Sequence, residues 1–522
     1  MNASPQDRAT NIRRNTFVVA VANLISRITG LIREIVFAAA FGASAAADAF
    51  NAAFRVGNLF RELFAEGALA NAFVPLYADV SEKEGEASAW DLANAFLGVL
   101  LLSVGFASLL ILFLAEPLVL LLAGGFAENP DKLQLASGLT QVLAPFVLAI
   151  SMASVFMGML NVRGRFFLPA LVPVLFNGFV IAACLGKTQF ESLTGLRPIY
   201  GVAFAALLGG GAQALVLLPR LRKMGYRFRP RIGNHPALKR LLKFLLPALV
   251  AISIVQINLL IETQIASREG DGPVSWLIYS FRVAHLPFSI VAGAVGVASL
   301  AGLSVLRAQG KETEFRRGLA RALNLNTFFL LPSAILLMVF PEAIVELLFE
   351  RGAFTPNDTL RTAEMLRMYG LALLGIGAHR ILVPVYYTFE DPWTPMWAGL
   401  VTVALKVPVA LYLVYTLDFG VAGLPLSHAF LVSGEIVFLM VVLNRRVPGL
   451  FPLLGRAHLQ VLVASLLMGA ALWPLRPHVS GLLLIPAFVA AGVVYAIATM
   501  SLGNQDAKSI IGKLLRGPPR PP

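Results

Sequence analysis

The feature that most limits what this chain can become is its succession of apolar runs of about 20 residues, the length at which a helix crosses a bilayer. In hydrocarbon every backbone N–H and C=O must be satisfied within the segment or its neighbours, so such runs fold as helices. Fourteen can be read, at roughly 15–41, 47–78, 92–123, 135–160, 167–186, 198–219, 241–267, 274–304, 322–340, 362–386, 394–415, 421–443, 459–474 and 482–503. Only 14% of the residues are charged, against about a quarter in soluble domains, and the mean hydropathy is +0.76. The expected fold class is an all-α polytopic membrane protein with about 14 transmembrane helices. Residues 1–14 are polar and basic and lead straight into the first run, so no cleavable signal peptide is expected.

Charge inside those runs is the functional signal. Residues 23–79 carry Arg27, Arg33, Arg55 and Arg61, with Glu34, Asp48, Glu62 and Glu66 among them. An ionisable group at membrane depth costs at least a few kcal/mol and marks a pathway or a binding site. Arginine suits phosphate in particular, because its planar fork donates two hydrogen bonds to one oxyanion group. The competing reading pairs Arg33 with Glu34 and Arg61 with Glu62. Arg282 lies about nine residues into the eighth run and adds a deep cation from the second half; an interhelical salt bridge is its alternative. His285 reads as a hydrogen-bonded interior histidine. The long run 47–78 is polar for a span and is expected to line a cavity.

The connectors orient the chain. With a cytoplasmic N-terminus, the cytoplasmic stretches hold 27 Lys and Arg and the opposite connectors 7, the positive-inside signature. An even helix count puts both termini inside. The basic connector 220–240 separates two sets of six helices and leaves two at the C-terminus, a common transporter plan. The expected organisation is an N-terminal lobe at 1–219, a basic linker at 220–240, a C-terminal lobe at 241–443, helices 13 and 14 at 459–503 and a tail at 504–522. The net charge of +13 reflects this anchoring to anionic lipid rather than nucleic-acid binding. The single Cys184 excludes a disulfide framework. No HExxH, GxSxG, P-loop or metal-ligand spacing is present. The expectation is therefore no catalysis, no cofactor and no metal, with transport driven by membrane potential or an ion gradient. The run Gly209-Gly210-Gly211 reads as close helix packing.

SRITGLIRE at 26–34, the Asp48-Ala-Phe step, NLFRELFAEGALANAFVP at 58–75, NVRGRFFLPALVPVLFN at 161–177, SWLIYSFR at 275–282 and FTPNDT at 354–359 resemble the MurJ (MviN) family of lipid II flippases, in the multidrug/oligosaccharidyl-lipid/polysaccharide exporter superfamily. The resemblance covers essentially the whole chain. It implies two lobes around a central cavity, with a lipid-side groove formed by the last two helices. The implied partners are lipid II, an undecaprenyl-pyrophosphate-linked disaccharide pentapeptide, and membrane lipids in a bacterial inner membrane. A monomer near the cell-wall synthesis machinery is the expectation. The family's cavity arginines fall on Arg27, Arg33, Arg61 and Arg282, its functional acids on Asp48 and Glu66, and Arg55 is a weaker candidate. Asp48 and Glu66 are expected to orient arginines or bind helix ends rather than touch an anion. Some relatives coordinate sodium between helices 7 and 11. Here Glu262 and Lys406 stand at those positions, which implies an ion pair in place of sodium; the alternative is that Lys406 snorkels to an interface and Glu262 caps or bonds locally. An O-antigen-type flippase and a multidrug cation antiporter are the rival readings; the antiporter should present an acidic cavity.

Overall fold

The computed structural model describes the backbone of residues 5–62, 73–232, 256–504 and 506–508, and the side chains of these except 5–20 and 290–301. The described residues are helical with no strand, as a chain of apolar runs requires. They form two compact units: one comprises Met1–Ser275 with Arg351–Phe354, the other Trp276–Glu350 with Thr355–Pro522.

The first unit contains α1 (Pro5–Phe41), α2 (Ala45–Arg61), α3 (Val74–Lys83), α4 (Glu86–Phe113), α5 (Ala115–Leu122), α6 (Pro130–Val162), α7 (Phe167–Leu185), α8 (Lys187–Thr194) and α9 (Pro198–Arg222). It also holds α10 (256–266) and the first turn of α11 (Pro273–Ala308). Helix α6 packs against α2, α4 and α9. Its core is built on Phe73, Tyr77, Phe96, Phe156, Leu217 and Tyr226. Gly209 and Gly210 do pack closely: an added Cβ would stand 3.0 Å from the Phe176 Cα and 2.7 Å from the Phe146 ring.

Two expected runs differ from the helices observed. The run 92–123 is broken after Phe113 because Pro117 lacks an N–H and its ring crowds the carbonyl four residues earlier. Over the run 47–78, α2 ends at Arg61 and α3 begins at Val74, and residues 63–72 lie outside those described. The basic connector also has structure at its start. The Asn94 amide accepts from the Tyr226 hydroxyl at 2.8 Å and from the Arg229 N–H at 3.0 Å, and donates to the Arg227 carbonyl at 3.1 Å. That fastens residues 226–229 onto α4.

The second unit contains most of α11, with α12 (Glu312–Val339), α13 (Pro341–Phe349), α14 (Pro356–Tyr387), α15 (Trp393–Leu411), α16 (Gly423–Arg446), α17 (Leu450–Leu472) and α18 (Leu484–Ser501). Its core gathers Phe315, Leu319, Leu382, Tyr386, Leu439 and Leu443. Helix α17 packs on α12, and the Tyr495 hydroxyl of α18 donates to the Phe328 carbonyl at 2.7 Å. Leu462, Leu466, Val489 and Val493 of these last two helices stay exposed, as lipid-facing residues would. Ten described helices are long and apolar enough to cross a membrane: α4, α6, α7, α9, α12 and α14 to α18.

Outside the spans, Asp391 organises the turn between α14 and α15. Its carboxylate accepts from the Thr394 hydroxyl at 2.6 Å and from the N–H groups of Thr394 and Trp393, and pairs with Arg446 at 2.6 Å. These bonds, the Thr394 hydroxyl foremost, hold its carboxyl below the usual range. A depressed folded-state pKa contributes stability above the unfolded value, lost as pH falls through the folded one. The melting-temperature gap between wild type and Asp391→Asn is therefore expected to be largest near neutral pH. It should close on acidification into the carboxylate range, and a gap independent of pH would refute this account.

Candidate functional site

The site residues of the first unit are placed by one helix with two faces. On α2, Asp48, Asn51, Arg55, Asn58 and Glu62 recur at steps of three and four, so all five lie on one stripe. A neighbouring face, about a third of a turn round the helix, carries Phe50, Phe54 and Gly57. Phe54 lies 5.6 Å from the Phe146 ring of α6 and 6.0 Å from the Phe176 ring of α7. With the aromatic face buried on α6 and α7, the polar stripe is turned toward residues 256–275.

Every member of that stripe except Asn58 then meets its partners there. Glu62 accepts from the Gln256 amide. Arg55 donates to the Leu259 carbonyl at 2.9 Å and to the Thr263 hydroxyl. Asn51 donates to the Ser275 hydroxyl at 3.0 Å. Asp48 is fully buried and accepts from the N–H of Gly272 at 2.7 Å and from the N–H and hydroxyl of Ser275 at 2.8 and 2.7 Å. The four contacts run antiparallel along α10 and into the first turn of α11.

Asp48 has a cationic partner that sequence reasoning missed. Lys132 Nζ lies 2.9 Å from its carboxylate, 2.8 Å from Asp271 and 3.1 Å from the Gly270 carbonyl, and 4.5 Å above the Phe126 ring. Lys132, one of the seven Lys and Arg outside the cytoplasmic connectors and the spans, lies in the first turn of α6 and is only 4% exposed. Asp48 thus accepts N–H groups at and just before the start of α11, and the cation it holds is a lysine, not an arginine. The three-to-four periodicity of polar residues on α2 was the signal available. Lys132 carried none, since its partners lie 84 and 139 residues away.

The remaining arginines of this unit behave differently from one another. Arg33 pairs with Glu34, and its guanidinium sits 5.3 Å over the Phe176 ring. Arg61 Nε donates to the Asn58 amide oxygen at 2.9 Å, and its guanidinium stands 3.7 Å from Glu62. Arg27 lies on an exposed part of α1 among Leu24, Ile25 and Ile28. Glu66 falls outside the described residues. Glu262 is buried on α10.

In the second unit Arg282 is half-buried on α11. Around it, the Trp276 indole donates to Asp358 at 2.9 Å, Tyr279 packs on Phe349, and Phe281 meets Tyr369 edge-on. His285 Nδ1 lies 2.9 Å from the Phe281 carbonyl, the intrahelical bond expected of an interior histidine. Lys406 is fully buried on α15 and donates to the Leu424 carbonyl at 3.3 Å, so it does not snorkel to an interface. Among the described residues no cluster of His, Cys, Asp and Glu could hold a metal ion.

Long apolar helices with arginines and buried carboxylates inside them define a multi-pass membrane protein, and the fold is that of transporters. It superposes on a solved lipid II flippase MurJ in an inward closed conformation with a TM-score of 0.78, at 24% identity, covering 92% of this chain and 98% of that one. It also superposes on an inward-facing multidrug resistance MATE transporter of the MOP superfamily with a TM-score of 0.70, at 15% identity, covering 84% and 99%. At these identities the likeness shows the fold alone. The sequence decides between them: the family model for lipid II flippase MurJ matches residues 37–494. A probable lipid II flippase MurJ from Rhizobium meliloti (strain 1021) is 36% identical over 87% of this chain and 85% of its own length. The chain belongs to the lipid II flippase MurJ family.

Proposed function

We propose that this chain carries lipid II from the cytoplasmic to the outer leaflet of a bacterial inner membrane by alternating access, with both termini cytoplasmic. Membership of the MurJ family over most of the chain is the observation that carries this reading. Arg27, Arg33, Arg61 and Arg282 hold the pyrophosphate, each through a fork that a lysine lacks. Asp48, Arg55 and Glu66 shape the helices that present them. The sugar-peptide crosses in a wet cavity while the lipid stays along an apolar surface such as that of α17 and α18. No covalent chemistry is required. Helices 1–6 and 7–12 form the two lobes, and the chain works as a monomer.

Lys406, with Glu262 as counter-charge, takes the place of a transported sodium ion, so flipping proceeds without sodium and draws on the membrane potential or another ion. The test is complementation of a flippase-depleted strain, read as lipid II sidedness. Expression should return lipid II to the outer leaflet in sodium-free medium. Persistent cytoplasmic accumulation with correctly inserted protein would overturn the reading, and a strict sodium requirement would overturn the role of Lys406.

A further inference from the structure

A cavity of the second unit, at the end where α12 and α17 begin and α18 stops, has no part in the flipping scheme. Its volume is about 590 Å³, within the roughly 300–1,000 Å³ of small-molecule sites. Arg317 and Arg321 of α12 and Arg456 of α17 line it, together with Asn324, Gln460 and Asp506.

The walls are fixed by hydrogen bonds that do not use these arginines. The Thr327 hydroxyl and His458 Nε2, 2.9 Å apart, tie α12 to α17. The Gln460 amide donates to the Leu502 carbonyl at 2.7 Å and accepts from Asn504 at 3.4 Å, which seats the chain leaving α18. Arg316 donates to the Pro448 carbonyl at 2.7 Å. Arg317, Arg321 and Arg456, by contrast, are exposed and make no hydrogen bond or ion pair among the described residues. The buried Asn324 amide oxygen has no hydrogen-bond partner among them either. Asp506 is the one acid of the described lining, so three cations face one carboxyl and the cavity is positive in either state of that acid. Burial pushes the carboxyl above its usual range, against the pull of Arg321.

Three guanidinium groups around one cavity repel one another, and an anion between them removes that cost. Their planar forks suit phosphate, which offers several oxygens to paired donors. The surroundings point to a lipid as its bearer. Leu459, Val463 and Leu467 follow Arg456 on α17 at three, seven and eleven residues, so they share its side of the helix, and all three are exposed. The cavity therefore stands at the head of an apolar strip about 17 Å long. A basic pocket between helices at the end of their spans is where a phospholipid headgroup sits when its chains lie along the helices.

We propose that Arg317, Arg321 and Arg456 form a phosphate-binding site, separate from the arginines assigned to lipid II, that takes the headgroup of an anionic phospholipid. Phosphate is the group recognised; a lipid headgroup and free phosphate share it, and the strip below Arg456 favours the lipid. The bound phosphate bridges α12 and α17.

The test uses the purified full-length protein in detergent, with binding read by native mass spectrometry and by thermal unfolding. The probes are dioctanoyl phosphatidylglycerol, dioctanoylglycerol as the same chains without phosphate, and inorganic phosphate. Wild type is expected to take up phosphatidylglycerol and to melt higher with it, and to ignore dioctanoylglycerol. Combined Arg317→Gln, Arg321→Gln and Arg456→Gln should weaken that binding at least about tenfold. Combined Arg220→Gln, Arg222→Gln and Lys223→Gln, which remove the same charge from the exposed basic connector of the first unit, should leave it unchanged. Displacement of phosphatidylglycerol by inorganic phosphate supports a site that either source fills; retention against it supports the lipid as the source. Equal affinity in wild type and the cavity variant overturns the proposal, as does an equal loss in the connector variant or equal binding of dioctanoylglycerol. If the triple cavity variant fails to fold, Arg456→Gln alone decides: weaker phosphatidylglycerol binding supports the site and unchanged binding overturns it. Flipping enters none of these readouts, so the phosphate site and the flippase reading stand or fall separately.

Discussion

Replacing Arg27, Arg33, Arg61 or Arg282 by alanine is expected to abolish complementation of a flippase-depleted strain while the protein still inserts. A hydrogen bond to a charged group contributes about 1.5–3 kcal/mol, and a bidentate arginine makes two. Each lost bond therefore costs roughly ten- to a hundredfold in affinity. Lysine should often fail as well, because it offers a point charge rather than a fork. Arg33 needs its own control, since Arg33→Ala also strands the Glu34 carboxylate. Arg33→Ala with Glu34→Gln separates the two causes: activity returning in the double variant would make Arg33 structural. Arg55 provides the contrast. Its Nη1 donates to Leu259 and Thr263, so Arg55→Ala should lower the melting temperature more than it lowers lipid II binding. Wild-type flipping by alanine variants of all four would remove arginine from the substrate site.

Lys132→Met is expected to be the most destabilising single substitution in the first unit. It would strand the Asp48 carboxylate, which is fully buried and already shared among the first turn of α11 and the lysine. Removing one partner of a buried ion pair costs about 3–5 kcal/mol, whereas replacing both by apolar groups of similar size is often neutral. Thermal unfolding in detergent should show a large drop for Lys132→Met and partial recovery in Lys132→Met with Asp48→Leu. Recovery will be incomplete, because Asp48 also accepts the N–H groups of Gly272 and Ser275. A single variant as stable as wild type would show that the pair holds nothing.

Local chemistry determined much of this protein. Apolar runs of span length demand helices because the bilayer offers backbone groups no water, and ten described helices meet that demand. The pairing of Arg33 with Glu34 and of Arg61 with Glu62 could be read from neighbouring residues alone. The polar stripe of α2 was equally present in the sequence, at steps of three and four. Its partner was not. That Asp48 meets Lys132 and the first turn of α11 depends on where α6 and residues 270–275 arrive in space. The same holds for Arg321 and Arg456, which line one cavity from positions 135 residues apart on two helices. Periodicity tells which face of a helix is polar, because it follows from 3.6 residues per turn. Only the packing of helices decides which charge that face meets, and so whether it is a support or a binding group.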